Sequence, residues 1–245
     1  WDRAGIRAGR PVAALLVDDP ASEVTLNATI TASDRAGAAA QAAEALAAGY
    51  RCVKVKVAIG DDAGRLAAVR AAGGPALALR IDANRRWSVP EAIAAINALA
   101  PAGLELVEEP VAGIAATRRV RDSVSARIAI DETAAEPGAL TAGVADAICL
   151  KVSRCGGISA LLAAAALVRA SGAEVYLAST LDGPLGIAAA VHAAAALAAR
   201  GPIAPCGLGT LALFDGDASD PARAPVVSGG AIGVPHGPGL LTPMP

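Results

Sequence analysis

The chain has 245 residues, of which 54% are hydrophobic, 2% aromatic and 18% charged, with a formal net charge of −2. That content supports a core the size of one barrel domain, filled by Ala, Val, Leu and Ile rather than by rings. No basic stripe or charge block is present, which argues against nucleic acid and anionic membrane as the main partner.

Apolar runs are broken by Gly, Pro or charge before they reach membrane-spanning length. No stretch has the basic start, apolar middle and small-residue cleavage site of a secretory leader. Cys52, Cys149, Cys155 and Cys206 are scattered with no CxxC pair, as expected of free thiols in a reducing cytoplasm. With only His192 and His236 available, any metal site must be built largely from carboxylates.

In chain order, Trp1–Leu16 reads as a helix followed by a short turn. β-like runs follow at Val24–Ile30, Cys52–Val57, Leu77–Ile81, Glu105–Val107, Arg127–Ile130, Ala147–Val152, Glu174–Ala178 and Ile203–Cys206. Ala-rich helices are predicted over Asp34–Ala48, Val89–Ala100, Ser159–Ala170 and Gly186–Ala199, with Ser33 and Ser88 as N-caps and Gly49 and Gly172 as stops. The tail from Pro221 is rich in Gly and Pro, with a short extended stretch near Ala231–Val234. Strand and helix alternate at the spacing of βα units, and eight strands predict an α/β fold of the (β/α)8 barrel type. An open doubly wound sheet is the rival, but neither a GxGxxG after the first strand nor a GxxxxGK[ST] is present.

Side chains alternate faces along a strand, and strand C-terminal ends form the mouth of a parallel barrel. In C-V-K-V-K-V, Lys54 and Lys56 share the face opposite Val53, Val55 and Val57. In A-L-R-I-D-A-N, Arg80, Asp82 and Asn84 oppose Leu79, Ile81 and Ala83. Glu108, Asp131 and Lys151 end the next three strands. Any one of these could be a solvated rim charge. Barrel strands are covered on both faces, however, so a run of five carrying inward charges calls for partners. Asp82, Glu108 and Asp131 lie 26 and 23 residues apart. Such oxygen donors suit a hard cation, Mg²⁺ or Mn²⁺. The lysines suit acid/base work on a substrate held between the second and sixth strands.

K-V-K, I-D-A-N, V-E-E-P, I-D-E-T and L-K-V-S-R-C-G-G-I, in this order on successive strands, resemble the muconate-lactonising subgroup of the enolase superfamily. The resemblance covers nearly the whole chain. It implies an enzyme, a lyase or isomerase, that removes a proton from the carbon beside a carboxylate. It assigns Mg²⁺ to Asp82, Glu108 and Asp131, and acid/base roles to Lys56 and Lys151 on opposite sides of a small carboxylate substrate. Lys54 assists substrate binding, and Arg80 and Asn84 support the metal ligands. A free lysine titrates near ~10.4, whereas a base at neutral pH is best near roughly 7–8. Desolvation and neighbouring cations are the expected means of lowering it.

Trp1–Leu16 resembles the last helix of the family's N-terminal capping domain, and G-A-I-G-V-P-H-G-P-G-L its C-terminal return to that cap. The expected division is residues 1–20 as cap helix, 21–214 as barrel and 215–245 as returning segment. A start at Trp1 suggests a chain whose beginning is missing. Near the eighth strand, A-P-C-G-L-G-T-L lacks the Asp-x-Asp that dipeptide epimerases use to hold an ammonium. C-G-L-G-T and G-G-I-S-A-L-L are similar to actinobacterial o-succinylbenzoate synthases, and W-D-R-A-G-I-R-A-G-R-P-V to muconate cycloisomerases and their racemase relatives. Ser179, Thr180, Asp182, Gly207, Gly209 and Thr210 are expected near the distal part of the substrate, or else as ordinary turn residues. His192 reads as a packed helix residue and His236 as a tail residue. The partners expected are the substrate and further copies of the chain. A non-catalytic barrel and a fragment of a longer enzyme are the competing classes.

Overall fold

The computed structural model describes residues 1–213 and 224–241. Two compact units are present, neither contiguous in sequence: one holds residues 27–149 with 170–173, the other residues 1–26, 150–169 and 174–245. Elements are numbered along the chain.

The 27–149 unit contains strands β2 (Ala28–Ile30), β3 (Cys52–Lys56), β4 (Ala78–Asp82), β5 (Leu104–Glu108), β6 (Ile128–Ile130) and β7 (Ala147–Leu150, its last residue in the other unit). They pair in chain order, each parallel to the next. Helices α3 (Arg35–Ala47), α4 (Asp62–Gly73), α5 (Val89–Leu99) and α6 (Ile114–Arg121) supply the crossovers. Val53, Val55, Leu79, Ile81 and Val107 face this layer and pack with Ala38, Ala42, Leu66, Val69, Ala92 and Ile96. The small helix residues replace aromatic bulk and let the helices lie close to the sheet.

Caps explain where the helices begin. Asp34, not the predicted Ser33, caps α3 by accepting from Gly37 N–H. A carboxylate so placed also meets the positive end of the helix dipole. Ser88 caps α5 in a reciprocal box with Glu91, and Pro90 sits in the first turn. The chain leaves α3 through Gly49, at φ 93°, a conformation that favours glycine. Helices α4 and α6 carry a weaker sequence pattern: polar Asp62, Arg65 and Arg70 interrupt the Ala run of one, and three arginines that of the other.

The second unit contains α1 (Asp2–Ala8), α2 (Val12–Leu16), α7 (Val152–Cys155), α8 (Ile158–Ala170, its last residue in the other unit), α9 (Pro184–Ala199) and strands β1 (Glu23–Thr25), β8 (Glu174–Leu177), β9 (Val227–Ser228) and β10 (Ala231–Gly233). Strands β1, β10 and β9 form an antiparallel sheet in that order. Residues 187–197 of α9 are all buried, as in a helix packed on every side. No helix among the described residues is long and apolar enough to cross a membrane.

Two predicted strands need correction. Val24–Ile30 is two strands: β1 pairs antiparallel with β10, and β2 pairs parallel with β3. The burial alternation slips by one at Leu26–Asn27, both buried, where the chain passes from one sheet to the other. Ile203–Cys206 is not a strand. Pro205 has no N–H to give a ladder, and only isolated bridges form, Leu26 with Cys206 and Ala178 with Gly207. Ala204 N–H still reaches Val175 O at 3.0 Å and Cys206 N–H reaches Thr25 O at 2.8 Å.

Candidate active site

The register of the parallel sheet assembles the charged row. Lys56 lies opposite Asp82 on β4, and Asp82 lies opposite Glu108 on β5. Lys54 enters the same row from below, its Nζ 2.8 Å from Glu108 Oε1 and 3.3 Å from Asp82 Oδ2. Lys56 Nζ donates to Asp82 Oδ2 at 2.6 Å and to Asn84 Oδ1 at 2.8 Å. Asp82 and Glu108 are each 1% exposed, so these contacts replace nearly all their hydration.

The electrostatics follow from that burial. Burial by itself pulls the Lys54 pKa down, but Glu108 and Asp82 more than offset it and hold the ammonium above the ordinary lysine range. Burial pushes the Asp82 carboxyl up, while Lys54 and Lys56 pull it further down, below its usual value. Glu108 goes the other way: burial dominates the pull of Lys54, and Asp82 and Asp131 add repulsion. Lys54 is thus a fixed cation between two carboxylates.

Arg80 is fully buried one layer lower, with Nε 2.6 Å and Nη2 3.3 Å from the Glu105 carboxylate. Asn84 donates its backbone N–H to Asp82 Oδ1 at 3.0 Å, besides accepting from Lys56. Asp131 follows β6 and is 6% exposed. Among the described residues no three Asp, Glu, His or Cys side chains gather at the spacing of a metal site. The donor chemistry nevertheless fits a hard divalent ion. Consecutive strands present three carboxylates, two of them already share one cation, and the third is near enough to raise the pKa of Glu108.

Sequence reasoning missed Glu109. It is fully buried, and burial pushes its carboxyl up against hydrogen bonds from Thr133 and Asp131 N–H. The doubled acid in V-E-E-P was the available signal. Alternation along the strand puts this second acid on the face opposite Glu108, and only the tertiary structure shows what it meets there. The non-glycine residues with positive φ among those described are Ala58, Asn84, Arg85 and Glu109, all just past β3, β4 or β5. Such conformations cost on the order of 1–3 kcal/mol each and collect where side chains must be aimed.

The remaining predicted residues belong to the other unit. Lys151, 8% exposed, follows β7 and precedes α7, its carbonyl accepting from Cys155 N–H at 2.9 Å. The structure brings Ser179, Gly207 and Thr210 together: Ser179 Oγ lies 2.7 Å from Thr210 Oγ1 and 3.3 Å from Gly207 O. Thr180 is turned onto Asp182 through both N–H and hydroxyl, each at 3.1 Å. Gly209 opens a 3-10 turn, Gly209–Leu213. His192 is a packed residue, as its helix suggested. Its Nδ1 accepts from Ala13 N–H at 3.1 Å and its Nε2 lies 2.9 Å from Leu240 O, so both ring nitrogens are satisfied in the neutral form.

The chain belongs to the enolase C-terminal domain-like family, whose model matches residues 37–243. Its fold is accordingly α/β, of the enolase-superfamily barrel type. The o-succinylbenzoate synthase of Mycobacterium tuberculosis is 44% identical over 215 residues, covering 83% of this chain and 62% of that protein. The Mycobacterium marinum protein of the same name is 40% identical over 211 residues, covering 81% and 61%. Among solved structures, the muconate lactonizing enzyme from Pseudomonas putida superposes with TM-score 0.87 at 25% identity, over 98% of this chain and 68% of that one. The L-Ala-D/L-Glu epimerase from Bacillus subtilis gives 0.86 at 30% identity with the same coverage. The chain thus spans less than two thirds of the length of the two mycobacterial synthases.

Proposed function

We propose that the chain is the barrel part of a Mg²⁺-dependent enzyme that removes a proton α to a carboxylate, its reaction an o-succinylbenzoate synthase-like dehydration. The observation that carries this reading is the buried row Lys56, Asp82, Glu108 with Lys54 beneath it. Lys54 and the two carboxylates are almost fully buried there and Lys56 closes the row from the open side, an arrangement costly to maintain without a charged reactant. The identity to synthases from two mycobacterial species favours dehydration over the alternatives.

In this reading Asp82, Glu108 and Asp131 hold the ion. Bound there, Mg²⁺ supplies charge neutralisation for the substrate carboxylate as the α-proton leaves. Lys56, one-third exposed, is the member of the row that can reach a ligand, and it acts as the base. In the synthase-type reaction the substrate is a cyclohexadiene carboxylate: after taking its proton Lys56 returns one to the departing hydroxide, so the ring loses water and becomes aromatic. Lys54 stays protonated and maintains the positive potential. Lys151 enters by its motif at the end of β7, as a cation that stabilises the enolate. In a racemase it would be the second base. Ser179, Thr180, Gly207 and Gly209 are assigned to the distal end of the substrate on the same ground.

Two measurements test the proposal. At a hundred times its Kd, Mg²⁺ should add ~2.7 kcal/mol of stability. Asp82→Ala, Glu108→Ala and Asp131→Ala should each remove that gain, and variants that keep it refute the ligand set. Turnover of the cyclohexadiene carboxylate, muconates and N-succinyl amino acids by the intact protein separates the reactions. Faster lactonisation or racemisation than dehydration would replace the synthase reading by a muconate cycloisomerase-like or racemase one.

A further inference from the structure

Glu108 and Glu109 are adjacent and both buried, yet their carboxylates do different things. Glu108 stays in the strand pattern and meets Lys54. Glu109, on the face opposite Glu108, adopts φ 43°, and its carboxylate meets the segment that follows β6. There its Oε2 accepts from Asp131 N–H at 2.6 Å, and its Oε1 from Thr133 N–H at 3.0 Å and Thr133 Oγ1–H at 2.5 Å. Arg85 Nε donates to the same Oε1 at 3.0 Å. The backbone of Glu109 takes part as well, its N–H donating to Ala129 O and its carbonyl accepting from Arg85 N–H, both at 2.8 Å. One residue therefore ties the exit of β4 to the exit of β6.

All four side-chain contacts are donors, and only a carboxylate can accept on both oxygens. A glutamine of the same shape must turn its NH₂ toward either Asp131 N–H or the Thr133 and Arg85 donors. The buried carboxylate is thus specified by chemistry and not by volume.

We propose that Glu109 is a positioning residue for Asp131, fixing the start of the turn that carries the third carboxylate. The role rests on the reading of Asp131 as a metal ligand. Residues that orient metal ligands typically contribute 10–100-fold to affinity.

The test is Mg²⁺ affinity of the intact protein, measured by calorimetry well below the melting temperature, with the Mn²⁺ electron paramagnetic resonance spectrum as a signature of the coordination sphere. Glu109→Gln should weaken Mg²⁺ roughly 10–100-fold and broaden the Mn²⁺ lines. Thr133→Ser, which keeps both donors, should stay near wild type, and Thr133→Val should fall between them. These two variants carry the test if Glu109→Gln does not fold. Glu109→Gln within twofold of wild type, while Asp131→Asn has lost the ion, overturns the positioning role and leaves the ligand reading standing. Thr133→Val binding like Thr133→Ser also counts against it. If Asp131→Asn itself binds Mg²⁺ normally, the ligand assignment fails and the positioning role with it.

Discussion

Lys54 and His192 are both buried side chains able to carry positive charge, and their surroundings treat that charge in opposite ways. Around Lys54 the partners are carboxylates, so the ammonium stays charged beyond the ordinary range. Around His192 the partners are a backbone N–H and a backbone carbonyl, inside a helix of Ala, Val and Leu, and burial holds its pKa below the usual histidine value. The neutral ring fastens α2 and Leu240 to α9. The charged row links β3, β4 and β5 through ion pairs, and replacing such buried pairs by apolar groups of similar volume is often neutral or stabilising. The difference separates a polar group satisfied in its neutral form from one held charged, and the proposed chemistry needs the second kind.

The comparison breaks most sharply at Lys54. Lys54→Ala leaves Glu108 and Asp82 buried with one cation fewer, and removing one partner of a buried pair costs about 3–5 kcal/mol. Lys54→Met combined with Glu108→Leu should recover much of that stability while abolishing turnover. Urea denaturation of the single and double variants checks it. A double variant as unstable as Lys54→Ala would mean the row contributes net stability.

His192→Leu probes the other side. Ala13 N–H and Leu240 O lose their partner, at about 1–3 kcal/mol for a buried unsatisfied group. Melting temperature should fall with Mg²⁺ affinity unchanged, the reverse of the pattern expected at Glu109. A parallel loss of Mg²⁺ affinity would place His192 among the functional residues.

The pH dependence sharpens the contrast further. The folded pKa of His192 is depressed, so only the unfolded chain takes up a proton just below ~6.5. Its contribution is fully present above that pH and is lost as pH falls through the folded value. The stability advantage of wild type over His192→Gln should therefore shrink between pH 7.5 and 5. An advantage constant across that range would mean the ring is not held neutral.

The smallest effect expected is at a purely local device. Ser88→Ala removes the cap of α5 and should cost about 1 kcal/mol, without altering either polar cluster. Thermal melts suffice to check it.

Much of the site was legible because a strand's period of two is rigid. K-V-K and R-I-D-A-N put their charges on one face whatever the neighbours do, and the apolar alternates Val53, Val55, Leu79 and Ile81 are buried opposite them as expected. Local chemistry likewise determined the Ser88 cap and the glycine after α3. What alternation cannot state is which strand lies at what height beside another. Only the tertiary register sets Lys56 against Asp82 and Asp82 against Glu108, since pairing depends on residues far apart in the chain. The same limit hid the break at Leu26–Asn27, where two partners compete for one apolar run. It also hid the contacts of Glu109, the second acid of a pair, whose carboxylate meets the loop after β6 from a left-handed backbone.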